Sequence, residues 1–294
     1  MISIEHVVDQ YLNELQFVKR YSLMTIDAYK SDLRVFKDYS LNNSKRNIEG
    51  MTEKFIKSFL MNLSQSGLEK KSISRKLSTI RGLFKYAYQN NIIETNPAAY
   101  INNPKSVRKL PEIISVDLIE NMYKIIDEKD NDPILVKSIF EILYGCALRR
   151  SELCNLLFID VDLENNSLKV FGKGGKTRIV PIGSKSKIIL EEYLTQKMKS
   201  PESKYFLTTK EGEKLYPQKV YRIVKNYLSK VTDIKKRSPH ILRHSAATHM
   251  LDNGADLLAV KEILGHENLS TTQIYTHVSI ERLKSTYKKS HPKS

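Results

Sequence analysis

The chain has 294 residues, with 48 Lys and Arg residues against 33 Asp and Glu residues, for a formal net charge of +15. This length accommodates one large domain or two ordinary ones. The excess charge favours a polyanionic partner, although charge alone leaves open a basic but unspecialised soluble protein. The sequence contains neither a long apolar run nor the apolar core of a signal peptide. We therefore expect a cytoplasmic protein without membrane insertion.

Four stretches of the first 90 residues carry apolar side chains at helical spacing, which predicts a compact helical bundle over 1–90. They are residues 3–20, residues 24–40, the stretch that Thr52 caps and Gly67 ends, and the stretch from Ser72 to Ala87. Asn-Pro and Leu-Pro pairs then break the pattern, which predicts a linker over 91–112. Residues 1–110 carry 18 Lys and Arg against 10 Asp and Glu, and the rest carry 30 against 23. This even spread suits two lobes that grip one ligand.

The remaining residues, 113–294, read as a mostly helical domain that contains one short segment of strand character. We expect helices at 115–128, 132–146, from Ser151, 184–198, 217–230, 239–252, 257–264 and 279–289. Residues 158–183 instead contain short apolar runs separated by an Asn-rich turn and a glycine turn, which predicts a small antiparallel sheet. The two cysteines, Cys146 and Cys154, form no CxxC pair, so we expect buried thiols rather than a zinc or disulfide framework.

Titratable side chains crowd the last third of the chain, where five of the seven histidines fall between His240 and His277. Ser238 and a following proline start a helix that places His240 and Arg243 one turn apart on one face. A helix N-terminus favours a phosphate, although a capped surface helix with chance charges would show the same pattern. Gly265 is expected to turn the chain after a helix, so that His266 lies just outside it.

Alternative interpretations exist for the other charged segments. A metal site is not expected, because His240 and His244 lack the glutamate of an HExxH motif and no carboxylate cluster lies near them in sequence. The glycine turn at 172–176 is not a nucleotide loop, and either carries a lysine into a groove or forms a solvated basic turn. Arg149 and Arg150 interrupt an apolar helix, where they either bind a ligand or cap the helix through ion pairs.

Together these segments resemble the tyrosine recombinase (lambda integrase) family over essentially the whole chain, and within it the bacterial recombinases that resolve chromosome dimers. Residues 147–153 (ALRRSEL) resemble the first arginine motif, 171–181 (FGKGGKTRIVP) the β-hairpin lysine segment, 240–244 (HILRH) the HxxRH box, 264–266 the LGH box, and 269–277 (LSTTQIYTH) the nucleophile segment. Two positions depart from the pattern: Ala147 replaces a usual glycine, and Arg150 replaces a usually apolar residue.

The resemblance implies a two-domain DNA clamp, with an N-terminal SAM-like core-binding domain at 1–90 and a C-terminal catalytic domain at 113–294 that ends in a tail helix. It implies six catalytic residues: Arg149, Lys173, His240, Arg243, His266 and the nucleophile Tyr275. Lys176 is the second candidate for the hairpin lysine. The reaction would run through a 3′-phosphotyrosyl intermediate, and no cofactor, metal or ATP is expected.

The resemblance also implies the partners. They are a double-stranded DNA recombination site, a tetramer on synapsed DNA with or without a second related recombinase, and a cell-division DNA translocase. The tail over 279–294 would pack on a neighbouring subunit. Alternatives are the integrase of a mobile element, a type IB topoisomerase-like enzyme, and a DNA-binding accessory factor without catalysis. Candidates for base contacts are the basic residues of two helices: Arg75, Lys76, Arg81, Lys219, Arg222 and Lys225.

Overall fold

A computed structural model describes residues 2–104, 112–172, 175–197, 203–265 and 280–293, without the side chains of 280–284. The chain divides into two compact units, residues 1–109 and 110–294. Lys173, His266 and Tyr275 lie outside the described residues, as does part of the expected linker. Within the described part of the chain, no helix combines the length and the apolar character needed to cross a membrane.

The first unit is a helical bundle around an aromatic centre. Its described α-helices are α1 (Ile4–Asn13), α2 (Leu23–Asn42), α3 (Glu53–Gln65) and α4 (Lys70–Gln89). Phe36 is fully buried, and its ring centre lies 5.1 Å from that of Phe59 and 6.1 Å from that of Phe84, both edge-on. Such pairs add to the free energy gained by burying the rings. The bundle therefore has a core of its own.

The ends of these helices follow the expected signals with one exception. The Thr52 hydroxyl accepts from the backbone N–H of Phe55 at 3.3 Å, and Gly67 adopts a φ of 79° just after α3. The predicted start of the fourth helix at Ser72 is wrong, because Glu69 is its N-cap. The Glu69 carbonyl already accepts from the N–H groups of Ser72 and Ile73, at 2.8 and 3.0 Å, so Ser72 lies inside the first turn.

The second unit combines eight described α-helices with a small sheet. The helices are α5 (Val116–Lys129), α6 (Pro133–Phe140), α7 (Arg150–Asn155), α8 (Ser184–Lys197), α9 (Pro217–Val231), α10 (Pro239–Asp252), α11 (Leu257–Leu264) and α12 (Ile280–Ser290). Strands β1 (Val161–Asp162), β2 (Ser167–Phe171) and β3 (Thr177–Pro181) pair antiparallel in the order β1-β2-β3. The predicted fold class, mostly α with a small antiparallel sheet, is confirmed.

Two of the predicted helices pass into a π-helical turn, which the apolar spacing did not reveal. The first helix continues beyond α1 as a π turn over Glu14–Val18, and α6 continues as one over Glu141–Gly145. In the second turn the backbone N–H of Cys146 donates to the carbonyl of Glu141 at 2.8 Å. Such turns occur frequently at functional sites. This one leads directly to the segment 147–149.

The C-terminal tail packs against the π turn of its own unit. Tyr287 is buried and donates its hydroxyl hydrogen to the Gly145 carbonyl, and its ring stacks on that of His291 with centres 4.6 Å apart. Lys293 Nζ lies 2.9 Å from the carboxylate of Glu141, which is completely buried. In this single chain the tail therefore packs into the core of the second unit. Packing of the tail on a neighbouring subunit stays a prediction.

The buried Glu141 carboxylate is fully bonded. It accepts from the hydroxyl of Tyr123 at 2.6 Å and from that of Ser186 at 2.6 Å, besides the ion pair with Lys293. A buried charge is tolerated when it is paired and hydrogen-bonded. This network ties α5, α8 and the tail to the turn that precedes Arg149.

Candidate active site

Arg149 is positioned by the first turn of the short helix α7. Its backbone N–H donates to Oε2 of Glu152 at 2.8 Å, and its Nη1 donates to Oε1 of the same carboxylate at 2.7 Å. Such a side-chain bond to the N-cap N–H satisfies a donor that the helix itself leaves unpaired. The Arg149 side chain is thus held in one orientation while 31% of it remains exposed.

Arg243 projects from α10 into the core of the unit. The start of α10 at Pro239 is as predicted. Arg243 Nη1 donates to the carbonyl of Ala147 at 2.6 Å, and Nη2 donates to the carbonyl of Leu264. Burial, together with the charge of Arg149, lowers the pKa of Arg243 to about 9. The guanidinium therefore remains charged at neutral pH.

Three arginines converge on three successive carbonyls at the C-terminal end of α11. Arg178 Nε donates to the carbonyl of Ile263 at 2.8 Å, Arg243 Nη2 to that of Leu264, and Arg149 Nη2 to that of Gly265 at 2.9 Å. The last carbonyls of a helix lack partners within the helix and carry partial negative charge. The three guanidinium groups satisfy them and fix the point from which the chain continues to residue 266.

A single carboxylate, that of Glu152, lies among these arginines. Arg178 donates from Nη1 to Oε1 at 2.9 Å and from Nη2 to Oε2 at 2.8 Å, while Arg243 Nη1 lies 3.7 Å from Oε2. Burial opposes ionisation, but the hydrogen bonds from Arg178 and Arg149 outweigh it and lower the pKa of Glu152. One negative charge thus faces three positive charges. The surplus positive charge suits an anionic ligand such as a phosphate.

His240 lies in the first turn of α10, close to this cluster. Although His240 is exposed, partial desolvation, followed by the charges of Arg150, Arg243 and Arg149, lowers its pKa below the usual value of 6.5. The imidazole is therefore neutral at neutral pH and is able to accept a proton. Arg150 itself lies with its guanidinium carbon 5.9 Å from the centre of the Tyr221 ring, which is a cation–π contact.

Ala147 occupies a backbone conformation that favours glycine. Its φ is 52°, its side chain is completely buried, and its carbonyl accepts from Arg243. Residues with an L side chain rarely adopt this left-handed region outside special sites. The resemblance led us to expect a glycine at this position, and the left-handed backbone of Ala147 is a conformation that favours glycine. The turn nevertheless directs Arg149 and the Ala147 carbonyl to the same cluster.

The structure thus brings together three of the six expected catalytic residues, Arg149, His240 and Arg243. The other three, Lys173, His266 and Tyr275, lie outside the described residues. Lys176, the second candidate for the hairpin lysine, is exposed, and its carbonyl accepts from the Gly172 N–H at 2.8 Å. Among the described residues no group of three or more His, Cys, Asp or Glu side chains is arranged to hold a metal ion.

Some basic residues that were candidates for base contacts are engaged inside the first unit. Lys76 is buried and donates to the buried carboxylate of Asp32 at 2.8 Å, and Arg75 donates to the same carboxylate. Arg81 donates to the carbonyl of Ile101 and holds the chain after α4. Lys76 is therefore a structural residue and not a base-contacting one. On α9, by contrast, Arg222 and Lys225 are exposed.

Sequence reasoning did not single out Arg178, although it lies at the centre of the cluster. In the register of the sheet Arg178 lies opposite Val170, and it shares a strand face with Val180. Both valines are buried. Successive side chains of a strand point to opposite faces of the sheet. The sequence could therefore have indicated Arg178 as a charged residue on the buried face of β3.

The surplus positive charge of the arginine cluster suits a phosphate group, and comparisons with known proteins identify the class of enzyme. Residues 112–282 match the family model "Phage integrase family", and residues 8–91 match "Phage integrase, N-terminal SAM-like domain". The chain is 37% identical to the tyrosine recombinase XerC of Thermodesulfovibrio yellowstonii, over 100% of this chain and 99% of that protein. It is 36% identical to the tyrosine recombinase XerD of Staphylococcus epidermidis, over 98% and 99%.

Solved structures agree with this fold. A lambda integrase dimer bound to a core site matches with a TM-score of 0.74 at 18% identity, over 95% of this chain and 100% of that one. The XerH recombinase bound to its difH substrate matches with a TM-score of 0.70 at 23% identity, over 91% and 80%. The chain belongs to the phage integrase family of tyrosine recombinases. The predicted family and enzyme class, a tyrosine-type site-specific recombinase, are confirmed.

Proposed function

We propose that this recombinase cuts and rejoins double-stranded DNA through Tyr275, with Arg149, Lys173, His240, Arg243 and His266 as the other catalytic residues, and that it resolves chromosome dimers. The observation that carries the proposal is the convergence of Arg149 and Arg243 beside a neutral His240, in a chain related over its whole length to XerC and XerD proteins. The resemblance of the nucleophile segment supplies Tyr275.

In the proposed reaction the Tyr275 hydroxyl oxygen attacks a DNA phosphorus in line with the bond to the 5′-oxygen. The new phosphorus–oxygen bond links the protein to the 3′-phosphate, and the 5′-hydroxyl leaves. A 5′-hydroxyl of another strand then attacks this link, which restores a phosphodiester and releases the tyrosine. One phosphodiester is exchanged for another through a phosphotyrosine, so joining consumes no ATP.

The arginines stabilise the transition state. Negative charge gathers on the non-bridging oxygens of the phosphorus as the tyrosine attacks, and a guanidinium provides two parallel N–H donors to such oxygens. Arg149 and Arg243 are already fixed by carbonyl acceptors, so little reorganisation accompanies the reaction. His266 adds a further donor in this scheme. Loss of one such donor typically slows a reaction about 10²–10³-fold.

Two proton transfers accompany the exchange. An unperturbed tyrosine has a pKa near ~10, so the attacking phenol must lose its proton, and His240 is the proposed base. The lowered pKa of His240 favours this role at neutral pH, because the imidazole is then unprotonated. Lys173 is the proposed acid, which protonates the departing 5′-oxygen. Lys176 is the alternative residue for that role.

The proposed partners follow from the relatives. One solved lambda integrase structure is a tetramer bound to a Holliday junction, and the XerH structure holds a difH substrate. We extend this to a tetramer of this chain on synapsed DNA, either alone or with a second related recombinase. A cell-division DNA translocase is the proposed regulator, since resolution of a chromosome dimer must be timed with division.

The decisive experiment uses nicked duplexes that trap the covalent intermediate, drawn from a panel of candidate half-sites, in EDTA and without ATP. The wild-type protein is expected to become covalently attached to one of these duplexes, and Tyr275→Phe is not. Tyr100→Phe is the matched control, because Tyr100 is 89% exposed in the first unit. An adduct that persists in Tyr275→Phe would falsify the assignment of the nucleophile.

The same panel separates the biological alternatives. A half-site preference that appears only with a second recombinase present supports a paired chromosomal system. Efficient recombination by this chain alone, on two dissimilar sites, would instead identify a mobile-element integrase. Specific binding without any covalent adduct in the wild type would identify a non-catalytic accessory factor.

A further inference from the structure

We propose that Arg178 is a positioning residue for the recombination reaction, which orients Arg149 and Arg243 through Glu152 and through the end of α11. The inference rests on the proposed function, since it assigns a role within the same site. Arg178 belongs to β3, whereas Arg149 and Arg243 come from α7 and α10, so it adds a third element to the cluster.

The contacts of Arg178 are all made to the protein interior. Its side chain is 10% exposed. Both terminal nitrogens donate to the carboxylate of Glu152, at 2.9 and 2.8 Å, and Nε donates to the Ile263 carbonyl at 2.8 Å. This is the parallel two-bond geometry that only a guanidinium offers to a carboxylate. Arg178 is therefore placed to hold other groups rather than to touch the DNA.

Arg178 satisfies both oxygens of the carboxylate that Arg149 and Arg243 share. Without it, the buried Glu152 would keep its charge with only these two cations nearby, and Arg243 Nη1 lies just 3.7 Å away. The attraction would draw Arg243 from its bonds to the Ala147 and Leu264 carbonyls toward the carboxylate. By engaging both oxygens of Glu152, Arg178 leaves Arg243 bonded to the Ala147 and Leu264 carbonyls, while Arg149 keeps its own bond to Oε1.

Arg178 also sets the position of the chain before residue 266. A Cβ added to Gly265 would lie 3.0 Å from Cδ, 3.2 Å from Nη1 and 3.3 Å from Cζ of Arg178, which is closer than ordinary packing allows. The Arg178 side chain thus packs closely beside Gly265. The same guanidinium therefore fixes the end of α11 from two directions, by a hydrogen bond and by direct contact.

The test compares Arg178→Lys and Arg178→Met with the wild type in single-turnover cleavage of the trapping duplex, alongside DNA binding and unfolding. Arg178→Lys keeps the positive charge but loses the two parallel N–H donors. It keeps the inference testable if Arg178→Met fails to fold. We expect DNA dissociation constants within about twofold of wild type and cleavage slowed about 10²-fold, the effect of a misplacement of roughly 1 Å. Lys137→Met is the matched control, since it removes another largely buried cation, paired with Asp127 at 2.7 Å.

The pH profile provides a readout that a purely structural role would not move. Arg178 helps to lower the pKa of Glu152, so its removal raises that pKa and Glu152 takes up a proton at higher pH than in the wild type. Cleavage by Arg178→Met should therefore fall off at a higher pH as the solution is acidified. Wild-type cleavage rates in a folded Arg178→Lys protein, or losses of cleavage and DNA binding in equal measure, would overturn the inference. Absence of any wild-type adduct would overturn the proposed function instead.

Discussion

Ala147 shows how one backbone angle contributes to the site. An alanine in the left-handed region costs about 1–2 kcal/mol relative to an ordinary conformation, because its Cβ crowds the backbone. The turn is held in place by the packed side chain and by the bond from Arg243 to the Ala147 carbonyl. Strain of this kind persists only where the surroundings determine the conformation, and such positions cluster at functional sites.

The residue-scale prediction concerns Ala147→Gly. We expect it to change the free energy of unfolding by less than about 0.5 kcal/mol, because relief of strain at a φ of 52° offsets the loss of the buried methyl group and the greater entropy of glycine in the unfolded chain. Ala246→Gly is the control, since Ala246 is equally buried but lies inside α10, where glycine costs roughly 0.5–1 kcal/mol. Urea unfolding of both variants gives the comparison. Destabilisation of the same size in both would contradict the assigned strain at Ala147.

At the scale of elements, the end of α11 is where three other elements meet. Strand β3, helix α7 and helix α10 each contribute one arginine to its last carbonyls. Cations are favourable at a helix C-terminus because of the partial negative charge there. The position of the chain that continues to residue 266 thus depends on side chains from elements far apart in sequence.

The element-scale prediction compares two glycines that both have positive φ. Gly265 has a φ of 61°, and a Cβ there would lie 3.0–3.3 Å from atoms of Arg178, whereas Gly254 has a φ of 81° and nothing within 4 Å of the position that a Cβ would occupy. Alanine at either position should cost about 1 kcal/mol through backbone strain. Only Gly265→Ala should also displace Arg178 and slow single-turnover cleavage, by about 10-fold or more. Equal cleavage rates for the two variants would refute the contact argument.

The agreement between sequence and structure also differs from one element to the next. The bounds of α10 were predicted to the residue from Pro239 at its first position and Gly254 beyond its end, although Ser238 makes no capping bond through its side chain and the buried residues surround the helix. The π turn at Glu141–Gly145 was not, because its register departs from the 3.6-residue period by which a helix is recognised. Lys76 was interpreted as a DNA-facing residue because spacing alone does not show that Asp32 lies buried beneath it.

For the proposed catalytic site, the sequence showed which residue types are present, and the resemblance to the family assigned their roles. Periodicity placed His240 and Arg243 on one helix, but nothing in it connects them to Arg149, which lies 94 positions before Arg243. The ion pairs of Glu152 and the carbonyls of α11 that join these residues depend on tertiary packing. They became visible only in three dimensions.

At the scale of the whole molecule, the net charge of +15 favours binding to DNA, and the number of phosphates contacted determines how that binding responds to salt. Each phosphate that a protein neutralises releases counterions, so the logarithm of the binding constant falls by about 0.9 per contact for each unit of log salt. The exposed Lys225 on α9 is a candidate for such a contact. The buried Lys76, which is paired with Asp32, is not.

We therefore expect Lys225→Gln to weaken binding at low salt and to reduce the steepness of the salt dependence by roughly 1. Lys76→Met is the control and should leave that slope unchanged while lowering the free energy of unfolding. Titrations of fluorescent duplex at several salt concentrations measure the slope. An unchanged slope for Lys225→Gln would exclude Lys225 as a phosphate contact.

The network around Glu141 has a consequence for the order in which a newly made chain folds. Tyr287 bonds to a carbonyl 142 positions earlier, and His291 to one 147 positions earlier. A chain leaving the ribosome therefore carries Glu141 through most of the synthesis of the second unit before Lys293 is available to pair with it. Since an unpaired buried carboxylate is costly, we expect the π turn and the arginine cluster beyond it to close late. The first unit has a core of its own and precedes these residues in the chain, so we expect it to fold before the arginine cluster is assembled.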